Sequence, residues 1–315
     1  MESEQRNKYH WGVLGCFAIS LIALVGCAGE PRESPTKGHL TAIVSESVSP
    51  VIKREEQTFE ELYAQAKIDL EVATAREAIA RLFNDTIKVI VSSRPLNAEE
   101  RDVAKRAKLE VGEFKIALDG VAIIVNNENP IAQLRTSQLD SILTGRITEW
   151  KDVGWKHKPP LIELYLPDRN SGTHEVVATR ILRGGNFAVP VRAAQSSPEM
   201  LQFVADHPNA LGMVGINWLQ ENKEKVKVLE LADPDAPDSL GTRGKYFGPH
   251  QAHIYRRYYP LTREVYIYSR ADQYGVAAGF IAFITSAAGQ KIILNNGLFP
   301  ATMPVRLVEL TNKGI

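Results

Sequence analysis

The sequence predicts an α/β fold built on a doubly wound sheet. From His39 onward, segments typical of strands alternate with segments typical of helices in the order βαβαβα, which is the pattern of such sheets. Hydrophobic residues make up 44% of the chain, enough for an ordinary core, and 315 residues allow two domains. The 37 basic and 37 acidic side chains cancel. This balance argues against nucleic-acid binding, because nucleic-acid binders usually carry a basic excess.

The first half of the chain predicts three strand–helix pairs. The first strand is LTAIV, and its helix is expected to start at Ser49 as N-cap, with Pro50 in the first helical position, and to run to Tyr63. The second strand is KIDLEVA, followed by a helix through Phe83. The third strand is IKVIVSS, and Asn97 is expected to cap the charged helix that follows it.

The second half continues the alternation. LIELYL predicts a strand, and residues 174–182 predict the helix after it. RTSQLDSILTG predicts a helix that ends at Gly145, and VAAGFIAFITSAAGQKIIL predicts one C-terminal helix. GPHQAHIYRRYYP contains His250 and His253. We expect an ordinary surface loop there rather than a metal site, because structural metal sites usually need four ligands.

The N-terminus has the features of an export signal. Arg6 and Lys8 precede an apolar run that is shorter than a comfortable membrane span. The run ends in Leu-Val-Gly-Cys27, which resembles the lipobox of bacterial lipoproteins. We therefore expect residues 1–26 to be a signal peptide and residues 27–38 to be a tether lipidated at Cys27. The alternative is an uncleaved anchor helix. Cys16 would leave with the signal, so the mature chain could form no internal disulfide.

Four predicted strands end in residues that can bind an anion. In such sheets ligands collect at the carboxyl ends of the strands. All four ends carry hydroxyls and three carry an arginine; they are 45–49, 74–76, 92–94 and 169–173. Separate helix caps are the alternative explanation. Four such ends at equivalent places favour an oxyanion site.

The turn DRNSGT is the most suggestive of these ends. A helix N-terminus has unpaired N–H groups and a partial positive charge, so it can bind anions. Gly172 would let the backbone approach a ligand closely. Ser171 and Thr173 add hydroxyls, and Arg169 adds a charged planar donor. The alternative is that Asn170 or Ser171 only caps the helix.

Two longer segments carry a family resemblance. IALDGVAIIVNNENPIAQLRTSQLDSILTGRITEWKDVG resembles the central segment of the phosphate-binding proteins of bacterial ABC uptake systems. YPLTREVYIYSR, with GFIAFITSAAGQKIILNNGLFPA after it, resembles the C-terminal segment of that family. RNSGT resembles the phosphate loop, and SSRPLNAEE resembles the third-strand loop. The likeness covers residues 39 to about 305 in the family's order.

The resemblance implies the type II periplasmic binding-protein fold, in which two doubly wound lobes are joined by two crossover strands. DGVAIIV would be the outgoing crossover and LTREVYIYS the return. Lobe one would comprise residues 39–121 plus 266–315, and lobe two residues 122–265.

The resemblance also implies ligand contacts at the strand ends. They fall on Ser47, Val48, Thr74, Ser92, Ser93, Ser171, Gly172 and Thr173. Asn170, in the same turn, is a further candidate for ligand binding. Well-studied members have an arginine where this chain has Pro167, which leaves Arg94 and Arg169 as candidates for the cationic contact. They also have an aspartate where this chain has Ser93. A carboxylate there would accept the proton of hydrogen phosphate and repel sulfate. Glu46 and Asp168 are candidates for that role, unless they are solvated or paired with an arginine.

The predicted function is that of a lipid-anchored solute-binding protein in the cell envelope. It would capture inorganic phosphate, or a similar oxyanion, outside the cytoplasm for an ABC transporter permease. We expect a monomer with no enzymatic activity, cofactor, metal site or nucleic-acid partner. Two alternatives stay open. One is a sensory or scaffold lipoprotein that binds phosphate, and the other is a phosphoester hydrolase using Ser171 and His174, although the chain lacks a G-x-S-x-G motif.

Overall fold

The computed structural model describes residues 33–187, 192–270 and 274–305. The predicted signal peptide, the lipidation site Cys27 and the tether up to residue 32 lie outside the described residues.

The first part of the chain forms three strand–helix pairs, as predicted. The strands are β1 (Lys37–Ser45), β2 (Gln65–Ala73) and β3 (Val89–Ser92), and the helices are α1 (Ser49–Leu62), α2 (Ala75–Phe83) and α3 (Ala98–Arg106). A 3₁₀ turn, Glu46–Val48, links β1 to α1. Asn97 and Glu100 form the capping box of α3. Ser49 is not the cap of α1, because the turn before it makes Val48 the N-cap and Ser49 the first helical residue.

The middle of the chain holds the long strand β4 (Gly112–Asn126) and most of the second lobe. The strands that follow are β5 (Gln133–Arg135), β6 (Glu163–Pro167), β7 (Arg192–Ala194), β8 (Ala210–Gly215), β9 (Val226–Val228), β10 (Glu230–Ala232) and β11 (Tyr246–Phe247). The helices are α4 (Thr136–Leu143), α5 (Gly172–Arg180), α6 (Ser197–Asp206) and α7 (Gln251–Tyr255). The 3₁₀ turns are Trp150–Val153, Ile216–Leu219 and Asp238–Leu240.

The chain then returns through β12 (Thr262–Ser269), α8 (Gly275–Thr285), α9 (Ala287–Asn295) and β13 (Phe299–Pro300). The predicted single C-terminal helix is wrong. It breaks at Ser286, whose ψ of 168° is extended and whose hydroxyl caps α9 by accepting from Gly289 N–H at 3.4 Å. The expected surface loop at GPHQAHIYRRYYP is also wrong in part, because it contains α7 and buries Ile254 and Tyr259.

One mixed sheet runs through both lobes of the described chain, in the order β2-β1-β3-β12-β4-β8-β6-β7. Strands β1, β2 and β3 are parallel, and β12 is antiparallel to both β3 and β4. β4 changes partners along its length. Residues 112–120 pair with β12, whereas residues 121–126 pair with β8 and β9. β4 and β12 are therefore the strands that connect the two lobes.

The apolar cores separate on either side of this connection. One cluster draws its buried residues from 121–261. Two others draw theirs from 40–117 and 265–298. We call the part with β1, β2 and β3 lobe one and the part with β6, β7 and β8 lobe two. The lobe boundaries given above stay a prediction.

No single helix within the described ranges is long and apolar enough to cross a membrane. α8 and α9 meet the length and composition criteria only as a pair, across a bend of 62°.

Lobe one contains a buried acid without a partner. Glu55 lies on the inward face of α1 with Val51, Ile52 and Phe59, and its side chain is fully buried. Neither carboxyl oxygen has a hydrogen-bond partner in the part of the chain that the structure describes. Burial raises the pKa of Glu55 to about 9, because a charged carboxylate is costly away from water. The folded protein therefore holds Glu55 protonated at neutral pH.

The raised pKa of Glu55 makes stability depend on pH. A group whose folded pKa exceeds its unfolded pKa contributes stability fully below the unfolded value and loses it as pH rises toward the folded value. Glu55→Gln should abolish this loss, so the variant should gain thermal stability relative to wild type between about pH 5 and about pH 8. Calorimetric melts of both proteins across this range would check it. Parallel stability–pH curves for the two proteins would contradict the assignment.

Candidate functional site

A small cavity lies where the ends of the lobe-one strands face the N-termini of α5 and α6. Its volume is about 20 Å³, somewhat more than the roughly 10–15 Å³ that one water needs by the same measure. The lining residues are Glu46, Ser47, Thr74, Ala75, Pro167, Asp168, Ser171, Gly172, Thr173, Ala194, Gln195, Ser196, Ser197, Met200 and Met213. A cavity this small favours a compact ligand over a bulky one.

The turn before α5 forms the lobe-two wall. Ser171 is the N-cap, and its Oγ accepts from His174 N–H at 3.1 Å. The capping alternative is therefore right for Ser171, which lines the cavity as well. The first intrahelical bond runs from Glu175 N–H to Ser171 O, so the N–H groups of Gly172 and Thr173 precede it. These two N–H groups have no partner within the helix, so they can donate hydrogen bonds to a ligand.

Gly172 is required by close packing between the lobes. The residue is buried, and a Cβ atom added to it would clash with Ser93 Oγ and lie 3.3 Å from Ser93 Cβ. Ser93 belongs to the third strand end of lobe one. The phosphate-loop turn and the third-strand loop, predicted separately from sequence, are thus in direct contact.

Two hydroxyls of lobe one are buried without a partner. Ser47 Oγ and Ser93 Oγ have no hydrogen-bond partner among the described residues, although both side chains are buried. Such hydroxyls are costly to leave unsatisfied. Ser47 lines the cavity, and Ser93 packs against Gly172 at its wall. A ligand that accepts hydrogen bonds would satisfy both.

Arg263 supplies a buried positive charge next to the cavity. Its Nε donates to Asp119 Oδ2 at 2.7 Å, and its Nη2 lies 2.5 Å from the same oxygen. Its Nη1 donates to Thr173 Oγ1 at 3.0 Å. Both charged side chains are at most 1% exposed. An arginine has five N–H donors, so donors are left over for an anion beside Thr173.

The position of Arg263 depends on both crossover strands. Arg263 on β12 lies directly opposite Asp119 on β4 in the antiparallel ladder. Its Nη2 also lies against Gly215 of β8, where an added Cβ atom would be 2.8 Å from Nη2 and 2.7 Å from Ser47 O. Only glycine leaves room for these two groups. The charge therefore sits where the lobes are joined.

Glu46 makes a contact across the cavity. Its Oε1 accepts from Ser197 N–H at 2.8 Å, and its Oε2 accepts from Ser197 Oγ at 3.1 Å. Burial raises the pKa of Glu46, and the Ser197 hydrogen bonds and the charge of Arg263 oppose this rise. The second candidate acceptor, Asp168, also lines the cavity, and its Oδ1 accepts from Asn170 N–H at 2.7 Å. The role of either carboxylate as a proton acceptor stays a prediction.

The remaining predicted hydroxyls are used differently. Thr74 lines the cavity and caps α2 by accepting from Glu77 N–H at 3.3 Å. Ser92 Oγ donates to Arg94 O at 2.8 Å, so it orders its own loop. Val48 is buried next to Ser47 in the 3₁₀ turn.

Neither of the two predicted arginines lines the cavity. Arg263 does not line it either, but it donates to Thr173, which does. Arg94 is buried and paired with Glu100, through two bonds of 2.7 Å, and with Glu175 at 2.6 Å. Arg169 is exposed. Asn170 lies near the cavity, and its carbonyl accepts from Arg76 N–H across the lobes at 3.3 Å. The ligand contacts of Arg94, Arg169 and Asn170 stay predictions, whereas the geometry favours Arg263 as the cation.

Arg263, Asp119 and Ser197 were missed by the sequence interpretation, although each has a local signal. Arg263 stands in the buried phase of a strand, two residues from Leu261 and two from Val265, both fully buried. A charged side chain at a buried position of a strand needs a hydrogen-bonding or charged partner, so it indicates a candidate functional site. Ser197 lies in SSPE, which carries the N-cap and proline signals of a helix start.

The hydrolase alternative finds little support in the geometry. Ser171 Oγ contacts the backbone N–H of His174, and the His174 ring packs on Phe187 with centroids 4.4 Å apart. Burial lowers the pKa of His174. No group of three or more histidine, cysteine, aspartate or glutamate side chains arranged for a metal occurs among the residues described.

Comparison with known proteins gives a consistent result. A model of the PBP superfamily domain matches residues 29–288. The phosphate-binding protein PstS of Staphylococcus saprophyticus is 28% identical over 282 residues, which cover 87% of this chain and 84% of that protein. The PstS of Staphylococcus aureus is 25% identical over 288 residues, covering 89% of this chain and 85% of that protein.

A solved structure extends the similarity to the fold. It is a putative phosphate ABC transporter substrate-binding protein from Clostridium perfringens, with bound phosphate. The TM-score is 0.71 at 21% identity, covering 84% of this chain and all of that one. The predicted family resemblance and the two-lobed α/β fold are thereby confirmed.

The two candidate cations can be separated by substitution. Arg263→Lys keeps a charge but loses the planar donor geometry, so oxyanion affinity, measured with phosphate, should fall about tenfold or more. Arg169→Ala removes an exposed charge and should change affinity less than about threefold. Calorimetry on both variants, with melting temperatures as the folding control, tests this. A larger loss for Arg169→Ala than for Arg263→Lys would reverse the assignment.

Proposed function

The chain belongs to the PBP superfamily, and from this premise we propose that it binds inorganic phosphate between its lobes and delivers it to an ABC transporter. The observation that carries the proposal is the set of unsatisfied donors around one small cavity. Ser47 Oγ and Ser93 Oγ lack partners in the described chain, and Arg263 and the N-terminus of α5 supply positive charge. A compact tetrahedral oxyanion satisfies all of them.

The size and polarity of the cavity support phosphate over larger anions. A volume of about 20 Å³ favours a compact anion over one that carries an ester substituent. Hydroxyl groups can rotate to donate or to accept, so Ser47 and Ser93 can bind phosphate as either its monoanion or its dianion. Names of similar proteins point the same way, since they are described as phosphate-binding and as parts of ABC transporters.

Transport from the extracytoplasmic side accounts for the N-terminal features. We propose that residues 1–26 are removed, that Cys27 is lipidated and that the described lobes are held near a membrane beside a permease. The protein would act as a monomer and without a catalytic step. A sensory or scaffold role would use the same site, and no feature of the described chain favours it over transport.

Phosphate binding is tested by calorimetry on ligand-free protein with phosphate, sulfate, molybdate and an organic phosphate ester. We expect one molecule of phosphate per chain and weaker binding of the ester, because the cavity is small and the substituent would have to lie between the lobes. Tight binding of the ester, or absence of binding for all four, would contradict the proposal. Release of phosphate from the ester would instead favour the hydrolase.

Lipid anchoring is tested separately in the natural host. Cys27→Ala should release the protein from the membrane fraction or block its processing, because the acceptor for lipid is lost. Fractionation and apparent mass report both outcomes. Unchanged membrane association and mass would rule out the lipidated tether.

A further inference from the structure

Glu46 and Ser197 come from opposite lobes. Glu46 lies in the 3₁₀ turn that follows β1 in lobe one, and Ser197 is the first residue of α6 in lobe two. Both oxygens of the carboxylate accept from Ser197, one from its N–H at 2.8 Å and one from its hydroxyl at 3.1 Å. Glu46 is half-buried and Ser197 is 7% exposed.

The contact places a carboxylate at a helix N-terminus. Ser196 is the N-cap of α6, and its Oγ accepts from Glu199 N–H at 3.3 Å. The N–H of Ser197 comes before the first intrahelical bond, from Met200 N–H to Ser196 O. An unpaired N–H at the positive end of a helix favours a negative partner, and here the other lobe supplies that partner.

We propose that Glu46 and Ser197 form a latch that stabilises the closed arrangement of the lobes over the anion. Glu46 is then a positioning residue, not a ligand. The inference deepens the proposed phosphate binding and rests on it. Two helices, α5 and α6, begin at the cavity. In the latch, the carboxylate of Glu46 binds at the N-terminus of α6. The N-terminus of α5 and Arg263 then remain to bind the anion.

The chemistry of Glu46 is better suited to a latch than to a ligand contact. Each oxygen already accepts a hydrogen bond from Ser197. An ionised carboxylate facing a phosphate dianion would repel it unless it met the phosphate proton. The next residue of the same turn is held across the lobes as well, since Asn217 Nδ2 donates to Ser47 O at 2.7 Å. The first loop of lobe one is therefore fixed at two adjacent residues.

A latch affects every ligand of the site alike. The contact exists only when the lobes are together, so losing it lowers the closed fraction and the apparent affinity falls by the same factor for each anion. A proton-accepting Glu46 predicts the opposite pattern, in which phosphate weakens and sulfate gains. The two roles are separable by one pair of titrations.

The chain offers a matched control for the substitution. Arg54 of α1 pairs with Glu221 of lobe two, which is also a contact of a carboxylate across the lobes. The two side chains of this pair are 52% and 75% exposed, and exposed ion pairs contribute little to stability. Glu221→Gln therefore makes the same chemical change away from the cavity.

The experiment compares wild type, Glu46→Gln, Ser197→Ala, the double variant and Glu221→Gln. Titration with phosphate and with sulfate should show affinity about tenfold lower in Glu46→Gln, with an unchanged ratio between the anions. The double variant should be close to Glu46→Gln, because the two residues make one interaction. Stopped-flow measurement should assign the loss to faster dissociation. Glu221→Gln should stay within about twofold of wild type.

Three results would overturn the latch. They are a gain in sulfate affinity with a loss for phosphate, additive losses in the double variant, and unchanged affinity in Glu46→Gln. Small-angle scattering of ligand-free protein gives a readout that does not need phosphate. Glu46→Gln should have a larger radius of gyration than wild type and Glu221→Gln. If wild type bound no phosphate, the proposed function would fail, and this comparison would still decide the latch.

Discussion

The buried pair of Asp119 and Arg263 is the interaction on which the site depends. The two residues face each other on the two strands that join the lobes, and both are removed from water. A buried guanidinium is tolerable only beside a carboxylate with good geometry, and Asp119 provides it. Because Arg263 also donates to Thr173, the pair fixes the phosphate-loop turn relative to the connecting strands.

The two carboxylates near the site, Asp119 and Glu46, have separate roles. Asp119 neutralises the buried arginine from behind, and its oxygens do not line the cavity. The hydroxyl of Ser47 and the N-terminus of α5 line the cavity, and the hydroxyl of Ser93 packs against Gly172 at its wall. Charge-assisted bonds to an anion are stronger than neutral ones, so the site can hold a small oxyanion without a metal contact. The carboxylate at the edge, Glu46, is held by the opposite lobe.

Much of this was predictable from local sequence, and the reasons for the rest are physical. Short sequence segments predicted the alternating strands and helices and the cap at Asn97, and with them the fold. The hydroxyls at strand ends, which are local signals too, predicted residues on both walls of the cavity. The break at Ser286 was missed because the apolar pattern of α8 and α9 is continuous. Arg263 lies about 90 residues from the SGT turn, and only tertiary structure shows that it reaches Thr173. Arg169, which precedes the SGT turn in sequence, is exposed.

A crystal structure of the protein with phosphate would test the central claim most directly. We predict one phosphate in the cavity, with oxygens accepting from Ser47 Oγ, Ser93 Oγ, Arg263 and the N–H groups of Gly172 and Thr173. Asp119 should remain paired with Arg263 behind it. A phosphate bound at Arg169 or elsewhere on the surface, with Ser47 and Ser93 still without a partner, would contradict this assignment of the binding site.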